Sequence, residues 1–444
     1  MRRGFEFDAA LCVRCNACNA ACTLENGFQP GTRSLYGWNE EALPAFSVYS
    51  LSLACNHCEI PECLEGCPVN AYSKDISGTI LYDKDKCMGC RYCTWRCPYD
   101  APRINAALGH IEKCQYCFGR VSEGVETACT SACPTGALRM AAMDEFPPAG
   151  VAWFPETGIG PSLILKGVPD ANSPVIIPAE EDEVIPDTPA AENRVMKEWS
   201  LILFSLMVIS ASSLLIASAL NADVPGARLP AILMAGAILV SFAHLGLPLR
   251  AWRAPLNILS SPLSREILLV TALSGMAAVN WFLPGIINPV LMVSVSLLTL
   301  ISVDMVYFAA DRSYRLKLHT GQAFFSAVFV TTWFIAPNTL FLIFSLLAAL
   351  SVVMRYRSSE KEPLIRFLYY CRALSLPAAF MLLYPGSEAT RIAAAIVFFT
   401  GVAADRVLFY DDFSPINIKE SILENFNDTY EKERDKQRQD AGVP

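Results

Sequence analysis

The stretch Cys87-Met88-Gly89-Cys90-Arg91-Tyr92-Cys93-Thr94-Trp95-Arg96-Cys97-Pro98 carries a C-x2-C-x2-C-x3-C-P spacing. Three more groups of four cysteines share its logic. Cys12, Cys15, Cys18 and Cys22 repeat the spacing. In Cys55, Cys58, Cys63 and Cys67 the middle gap widens to four residues. In Cys114, Cys117, Cys129 and Cys133 it is longer still, and Pro134 follows. Sixteen of the seventeen cysteines lie in these groups, all between residues 12 and 133.

This spacing is the bacterial ferredoxin signature of [4Fe–4S] clusters. Three thiolates in one tight turn can hold three corners of a cubane. The fourth cysteine points towards a cluster held mainly by another run, and the proline ends the turn. Four runs predict four [4Fe–4S] clusters with fourth ligands exchanged in pairs. Zinc sites use two C-x2-C pairs rather than triplets with a fourth cysteine and proline. Disulfides need an oxidising compartment, and cysteines this close in repeated runs suit metal better. Spacing alone leaves the pairing of runs open. The third and fourth runs begin 27 residues apart and the second and third 32 apart, and either distance fits one module.

The 444 residues are 53% hydrophobic, with a formal charge of −8. The charge does not suggest a nucleic-acid partner. The apolar excess is uneven: cysteines fill the first part, and most long apolar runs lie beyond residue 198. Residues 1–143 read as an α+β ferredoxin-like cluster domain of two two-cluster modules, with short strands at Tyr82-Asp83 and Ala137–Met140. Residues 144–197 read as a proline-rich acidic linker, including the solvated run Glu180-Glu181-Asp182-Glu183.

Residues 198–410 read as an all-α, polytopic membrane domain of about eight helices, each close to the roughly 20 residues that span a bilayer. The segments lie near 199–220, 229–249, 266–284, 289–310, 321–336, 339–356, 364–384 and 390–410. Residues 411–444 form a charged tail, with 416–438 expected as an exposed helix or disorder. Met1–Glu6 leads to the first cysteines with no apolar run of the kind a signal peptide needs.

Even-numbered crossings return the chain to its starting side. Loops there carry Arg250, Arg253, Arg265, Arg312, Arg315, Lys317, Arg355, Arg357, Lys361 and Arg366, against Arg228 and Arg391 opposite. Positive loops stay in the cytoplasm, so the expected location is multi-pass in the inner (cytoplasmic) membrane with the cluster domain on the cytoplasmic side.

Residues 4–145 resemble the iron–sulfur subunit of the dimethyl sulfoxide reductase family of molybdopterin enzymes. The match is carried by Cys55-Asn56-His57-Cys58-Glu59, Cys87–Cys93, Cys97-Pro98-Tyr99 and Gly109-His110-Ile111-Glu112-Lys113-Cys114. The resemblance implies nested pairing. One cluster would sit on Cys12, Cys15, Cys18 and Cys133, and a second on Cys22, Cys114, Cys117 and Cys129. A third would sit on Cys55, Cys58, Cys63 and Cys97, and a fourth on Cys67, Cys87, Cys90 and Cys93. It places the first nearest a molybdenum subunit and the last nearest the membrane. Some relatives carry tryptophan at a ligand position of the third run. Cys90 is retained here, which implies four four-iron cubanes.

The stretches His244–Ala251 and Ser261–Glu266 resemble the family's membrane anchor subunit, so two subunits that relatives encode separately are read as fused. Ionisable residues inside membrane segments are costly and tend to be functional. His244, Arg250, Glu266 and Asp304 are therefore candidates for a quinone site (menaquinone or ubiquinone). His or Glu would take up a proton from quinol, and Arg or Asp would orient the ring. Arg372 and Asp405 are alternatives that also suit a structural ion pair, and Cys371 reads as an inert small side chain.

No haem is expected, because His244 is the single histidine in a predicted membrane helix. The expected function is an electron-transfer and membrane-anchor subunit between the quinone pool and a molybdopterin-containing catalytic subunit, with membrane lipid around it. Substrate chemistry would reside on that partner, and the quinone step here. Two alternatives stand beside this one: the same role in a cytoplasm-facing sulfite-oxidising complex, and an ion-translocating redox module.

Overall fold

A computed structural model describes residues 2–38, 49–143, 154–167, 198–220, 228–310, 322–335, 363–383 and 388–412, together with Ile418, Ser421, Ile422 and Asn425. The protein divides into two compact units. The first comprises Met1–Ala190, Leu249–Ala251 and Pro415–Pro444, and the second Ala191–Pro248 and Trp252–Ser414.

The first unit is built on strand β1 (Arg3–Asp8). It pairs antiparallel with β8 (Leu138–Ala142) and parallel with β9 (Leu163–Lys166). Side chains alternate across a strand, and Phe5 and Phe7 fall on the buried face. Gly4 fits between the flanking strands because a Cβ there would sit 2.5 Å from the Ser162 carbonyl oxygen. Three hairpins complete the unit: β2 (Ser34–Trp38) with β3 (Tyr49–Leu53), β4 (Tyr72–Lys74) with β5 (Ile80–Tyr82), and β6 (Arg103–Asn105) with β7 (His110–Glu112). Cysteine runs and hairpins alternate along the sequence, so each run enters and leaves its turn from a strand.

Short helices follow the cysteines: α1 (Ala17–Asn26), α2 (Glu62–Glu65), α3 (Tyr92–Arg96), α4 (Phe118–Ser122) and α5 (Ala128–Ser131). The first unit also extends past residue 143. Phe154, Ile159 and Leu163 are buried, and β9 lies inside the stretch expected as linker. The apolar run Leu163-Ile164-Leu165 explains this, since it fits a strand better than a solvated connector.

The second unit is helical: α6 (Trp199–Ala219), α7 (Arg228–Ser241), α8 (Pro262–Phe282), α9 (Pro289–Ala310), α10 (Gln322–Ile335), α11 (Pro363–Leu383) and α12 (Glu388–Asp412). Helix α6 is apolar on all sides and packs against α7, α9, α10 and α12. An all-round apolar helix belongs in the interior of a bundle. Its Ser213 hydroxyl donates to the Ile209 carbonyl within the helix and lies 3.2 Å from the Ala327 carbonyl of α10. Ser261 caps α8, its hydroxyl accepting from Ser264 N–H at 3.4 Å, and Pro262 takes the first helical position.

Among the described residues four helices are long and apolar enough to cross a membrane, or five if one bent pair counts as a span. The bent pair is the segment expected as one helix over 229–249. It breaks after His244 and resumes over Pro248–Asn257 at 106°. Gly246 is a weak helix former, and Pro248 has no N–H for a continuing ladder. The segment near 339–356 lies outside the described residues.

Ile418 and Ile422, in the stretch expected to be exposed, are 1% and 2% exposed within the core of the first unit, which includes Phe5, Trp38 and Leu51. Their i, i+4 spacing would put both on one face of a helix. Ile422→Ala should destabilise the first unit by about 2–4 kcal/mol. This would be read as a lower midpoint for thermal bleaching of the iron–sulfur absorbance. An unchanged midpoint would mean that the tail contributes nothing to the core.

Candidate iron–sulfur centres and a polar cluster among the helices

The four cysteine runs share one backbone device. The second residue after the first cysteine has positive φ in every run: Arg14 (57°), His57 (45°), Gly89 (72°) and Tyr116 (58°). Three of these are not glycine, and a left-handed non-glycine residue is uncommon and costly. The turn bends the backbone so that neighbouring thiols face one centre. A second device closes three runs. Cys67-Pro68-Val69-Asn70, Cys97-Pro98-Tyr99-Asp100 and Cys133-Pro134-Thr135-Gly136 each end on a positive φ, at 49°, 48° and 66°. Backbone N–H groups then aim at the thiols. Gly89 N–H donates to Cys87 Sγ at 3.3 Å, Tyr116 N–H to Cys114 Sγ at 3.4 Å, and Ala71 N–H to Cys67 Sγ at 3.3 Å.

The thiols gather in sets drawn from distant runs. The sulfurs acting on Cys12 are those of Cys18 and Cys133. Asn26 Nδ2 stands 4.0 Å from Cys22 Sγ and 3.8 Å from Cys117 Sγ, and Cys129 also acts on Cys22. Cys58 feels Cys55, Cys97 and Cys63. Cys93 feels Cys90, Cys67 and Cys87. Cys55, Cys58, Cys63 and Cys97 line one cavity together with Ile80 and Lys113. Among the described residues no three His, Cys, Asp or Glu converge on a single-ion point. A cubane carries one iron per thiolate, and sets of four spread thiols suit that geometry.

Electrostatics fit the same group. Burial raises the Cys22 thiol to about 12, with Arg33 pulling it back, and burial raises Cys97 to about 12. Cys58, Cys67 and Cys93 are pushed up for the same first reason. Coordination to a metal deprotonates a thiol outright, so iron supplies the charge that makes these buried thiolates favourable. Cys55 differs. Burial raises it, but Lys113 and His57 more than reverse this and bring it down to about 6.

Arg33 gives a second test of fit. It is 1% exposed, its guanidinium lies over the Phe5 ring, and Nη1 donates to Ser52 Oγ at 3.1 Å. Its Nε and Nη2 have no hydrogen-bond partner among the described residues. A buried guanidinium with orphaned donors is costly unless something anionic faces it. The groups acting on it are the thiols of Cys129, Cys114, Cys22 and Cys18, and these raise its basicity against the opposing effect of burial. Cluster sulfides would meet the orphaned donors. When bound, a [4Fe–4S] cluster supplies a one-electron store at each set of four thiols.

Residues 46–143 match the 4Fe-4S dicluster domain family. The B subunit of the anaerobic dimethyl sulfoxide reductase of Haemophilus influenzae is 37% identical over 180 residues, covering 37% of this protein and 88% of that relative. This protein belongs to that family of iron–sulfur subunits. The probable anaerobic dimethyl sulfoxide reductase subunit YnfG of Escherichia coli is 36% identical over 187 residues, 38% of this protein and 90% of the relative. The formate dehydrogenase iron-sulfur subunit of Wolinella succinogenes is 32% identical over 158 residues, 30% and 78% of the two sequences. The aligned lengths match the size of the first unit, so this iron–sulfur subunit carries an additional helical unit with several candidate membrane helices.

The four residues expected at a quinone site fall in different settings. His244 ends a 3-10 turn (Phe242–His244) after α7. Arg250 belongs to the first unit, where Nη1 donates to the carbonyls of Lys84 at 2.7 Å and Cys87 at 3.0 Å. Glu266 and Asp304 are buried in the second unit, and Asp304 is the charged neighbour of Glu266. The Asp304 carboxylate is already engaged. Its two oxygens accept from Ala323 and Phe324 N–H, both at 2.9 Å, and so cap the start of α10.

Three residues absent from the sequence reading join this acidic pair. Arg406 is fully buried and acts on Asp304 and on Tyr410, and the Tyr410 hydroxyl meets that of Tyr307. An arginine inside an apolar run is itself a signal. Arg406 was overlooked beside Asp405, which pairs with Arg372 at 3.4 Å with both side chains 4% exposed.

Nested sets make a sharp prediction. Cys22→Ser and Cys117→Ser, far apart in sequence, should weaken the same low-temperature electron paramagnetic resonance signal. Cys18→Ser, four residues from Cys22, should weaken a different one. Loss of one common signal in all three variants would rule out the nesting.

Proposed function

We propose that this protein is the electron-transfer and membrane-anchor subunit of a molybdopterin oxidoreductase. It carries electrons between the membrane quinone pool and a separate catalytic subunit through four [4Fe–4S] clusters, one on each of the nested cysteine sets. The observation carrying this reading is the arrangement of sixteen cysteines in four runs of four within a sequence that also supplies candidate membrane helices. The relatives support the partner. They are named as components of dimethyl sulfoxide reductase, tetrathionate reductase, thiosulfate reductase and formate dehydrogenase.

The helical region crosses the membrane about eight times in this proposal, and the cluster domain lies on the cytoplasmic side. The arginine- and lysine-rich loops support that orientation. They also favour a second reading, in which a cytoplasmic partner such as a sulfite oxidiser feeds electrons into quinone. The proposed domain limits are 1–143, 144–197, 198–410 and 411–444, with the strand near residue 163 folded onto the first.

Quinol gives up two protons with its two electrons, and a carboxylate next to it can take one. Glu266 is assigned that role, with His244, Arg250 and Asp304 as further quinone-site residues. The test is a pair of reductions on membranes. Glu266→Gln should slow cluster reduction by added quinol more than tenfold. Dithionite should still reduce every cluster signal to the wild-type extent. Equal rates with quinol would remove Glu266 from the quinone step, and iron content far below four irons per set would remove the four-cluster reading.

A further inference from the structure

Two buried cations stand against two of the cysteine sets. Lys113 is fully buried, and its Nζ donates to the carbonyls of Ile80 at 2.5 Å and Cys114 at 2.7 Å and to Cys55 Sγ at 3.7 Å. An ammonium has three donors, and these contacts use all three. None of these partners is a carboxylate, and the one anionic group it meets is the Cys55 sulfur of the cysteine set. The other charged groups on the same cavity, Glu62 and Arg96, face each other at 3.6 Å.

His57 shares this corner. Its Nδ1 lies 3.0 Å from Ile80 N–H, and its Nε2 lies 3.8 Å from Cys114 Sγ. It is held edge-on to Tyr116, and its own carbonyl accepts from Ser162 Oγ. Lys113 and His57 therefore occupy the junction between the Cys55 set and the Cys114 set, with the full charge on the Cys55 side.

Arg33 is the second buried cation. The thiols of Cys129, Cys114, Cys22 and Cys18 act on it, and the Ser52 hydroxyl that accepts from its Nη1 lies 3.4 Å from Cys18 Sγ. The set of Cys67, Cys87, Cys90 and Cys93 is served differently. The hydroxyls of Tyr72 and Tyr82 face it, and both are uncharged donors. The guanidinium near it, Arg250, reaches the Cys87 carbonyl but has the Asp85 carboxylate 4.0 Å away.

We propose that Lys113 and Arg33 are potential-setting residues, each raising the reduction potential of one cluster: Lys113 that of the Cys55 set and Arg33 that of the Cys114 set. Reduction adds one negative charge to a cluster. A fixed cation in a low-dielectric site favours the reduced form, and net charge and hydrogen bonds to sulfur are general determinants of cluster potential. Among the described residues the set of Cys67, Cys87, Cys90 and Cys93 has no buried, uncompensated cation of this kind, so the protein would raise its cluster potentials unequally. The proposal rests on the four-cluster reading above.

The test compares Lys113→Gln and Arg33→Gln in the full-length protein by redox titration of the cluster resonance signals, with iron content measured on each sample. Glutamine keeps an amide donor near the same carbonyls or hydroxyl and removes the charge. Each variant should shift mainly one signal, and the two variants should shift different signals, towards lower potential. At a fixed ambient potential the reduced-to-oxidised ratio of that cluster should fall about tenfold, which is about 59 mV for a one-electron couple. Lys113→Arg should restore its signal towards wild type. Shifts of all four signals together, of the same signal in both variants, or of none would overturn the proposal. So would loss of iron from Lys113→Gln, because the charge would then serve cluster assembly. Failure of the four-cluster reading is distinguishable, since it would appear as low iron or missing signals in the wild-type protein.

Discussion

The first unit depends on thiols from remote runs meeting at one centre. Cys12 and Cys18 share their surroundings with Cys133, and Cys22 does so with Cys117 and Cys129. A cluster on such a set would join the start of the unit to its end, much as a cross-link closes a long loop. Binding free energy at a site that does not exist in the unfolded state becomes folding free energy. This explains why a unit of short strands and short helices can hold eight non-glycine residues at positive φ. The turns are tolerated where the ligand geometry over-determines them. The central sheet does the remaining work by holding the ends of the unit side by side.

Buried charge is managed in contrasting ways in the two units. In the first, Arg33 and Lys113 lie among thiols and neutral oxygens, and an anionic cluster is the partner that fits their surroundings. In the second, Arg372 and Asp405 form an ion pair, and Asp304 satisfies two backbone donors of α10. An ion pair or a cap keeps a helix bundle in register without any bound group. Arg406 falls between these cases, since its neighbours include Asp304 and two tyrosines but its nitrogens make no hydrogen bond among the described residues. Its position connects the acidic pair to Tyr307 and Tyr410, a polar cluster beside the Arg372–Asp405 pair in the same unit.

Much of the first unit was legible because cysteine spacing is a direct record of ligand geometry. The strands at Ile80–Tyr82 and Leu138–Ala142 lie where short strands were expected beside the runs. What the spacing could not convey was burial of charge. Lys113 reads as an ordinary lysine after a glutamate, and Arg33 as a loop arginine. Only the fold brings them against Cys55 and Cys129. The tail was misleading for a similar reason. Its charged composition hid two isoleucines four residues apart, and Ile418 and Ile422 were overlooked as a buried pair. In the second unit, hydropathy located the helices but not the break after His244, where a short Gly-x-Pro sequence outweighs an apolar average.

The engagement of Asp304 bears on which acid can cycle a proton. Its two oxygens hold the first N–H groups of α10, and protonating it would weaken both contacts at the end of a helix whose donors have no intrahelical partner. Each proton uptake there would loosen α10. Glu266 lies one helix away, just after the first turn of α8, whose own start is capped by Ser261 and stiffened by Pro262. Proton transfer at Glu266 leaves that cap untouched. The Asp304 carboxylate is the charged neighbour of Glu266. The geometry therefore separates the two acids: Asp304 is tied to the start of α10, and Glu266 stands apart from the cap of its own helix.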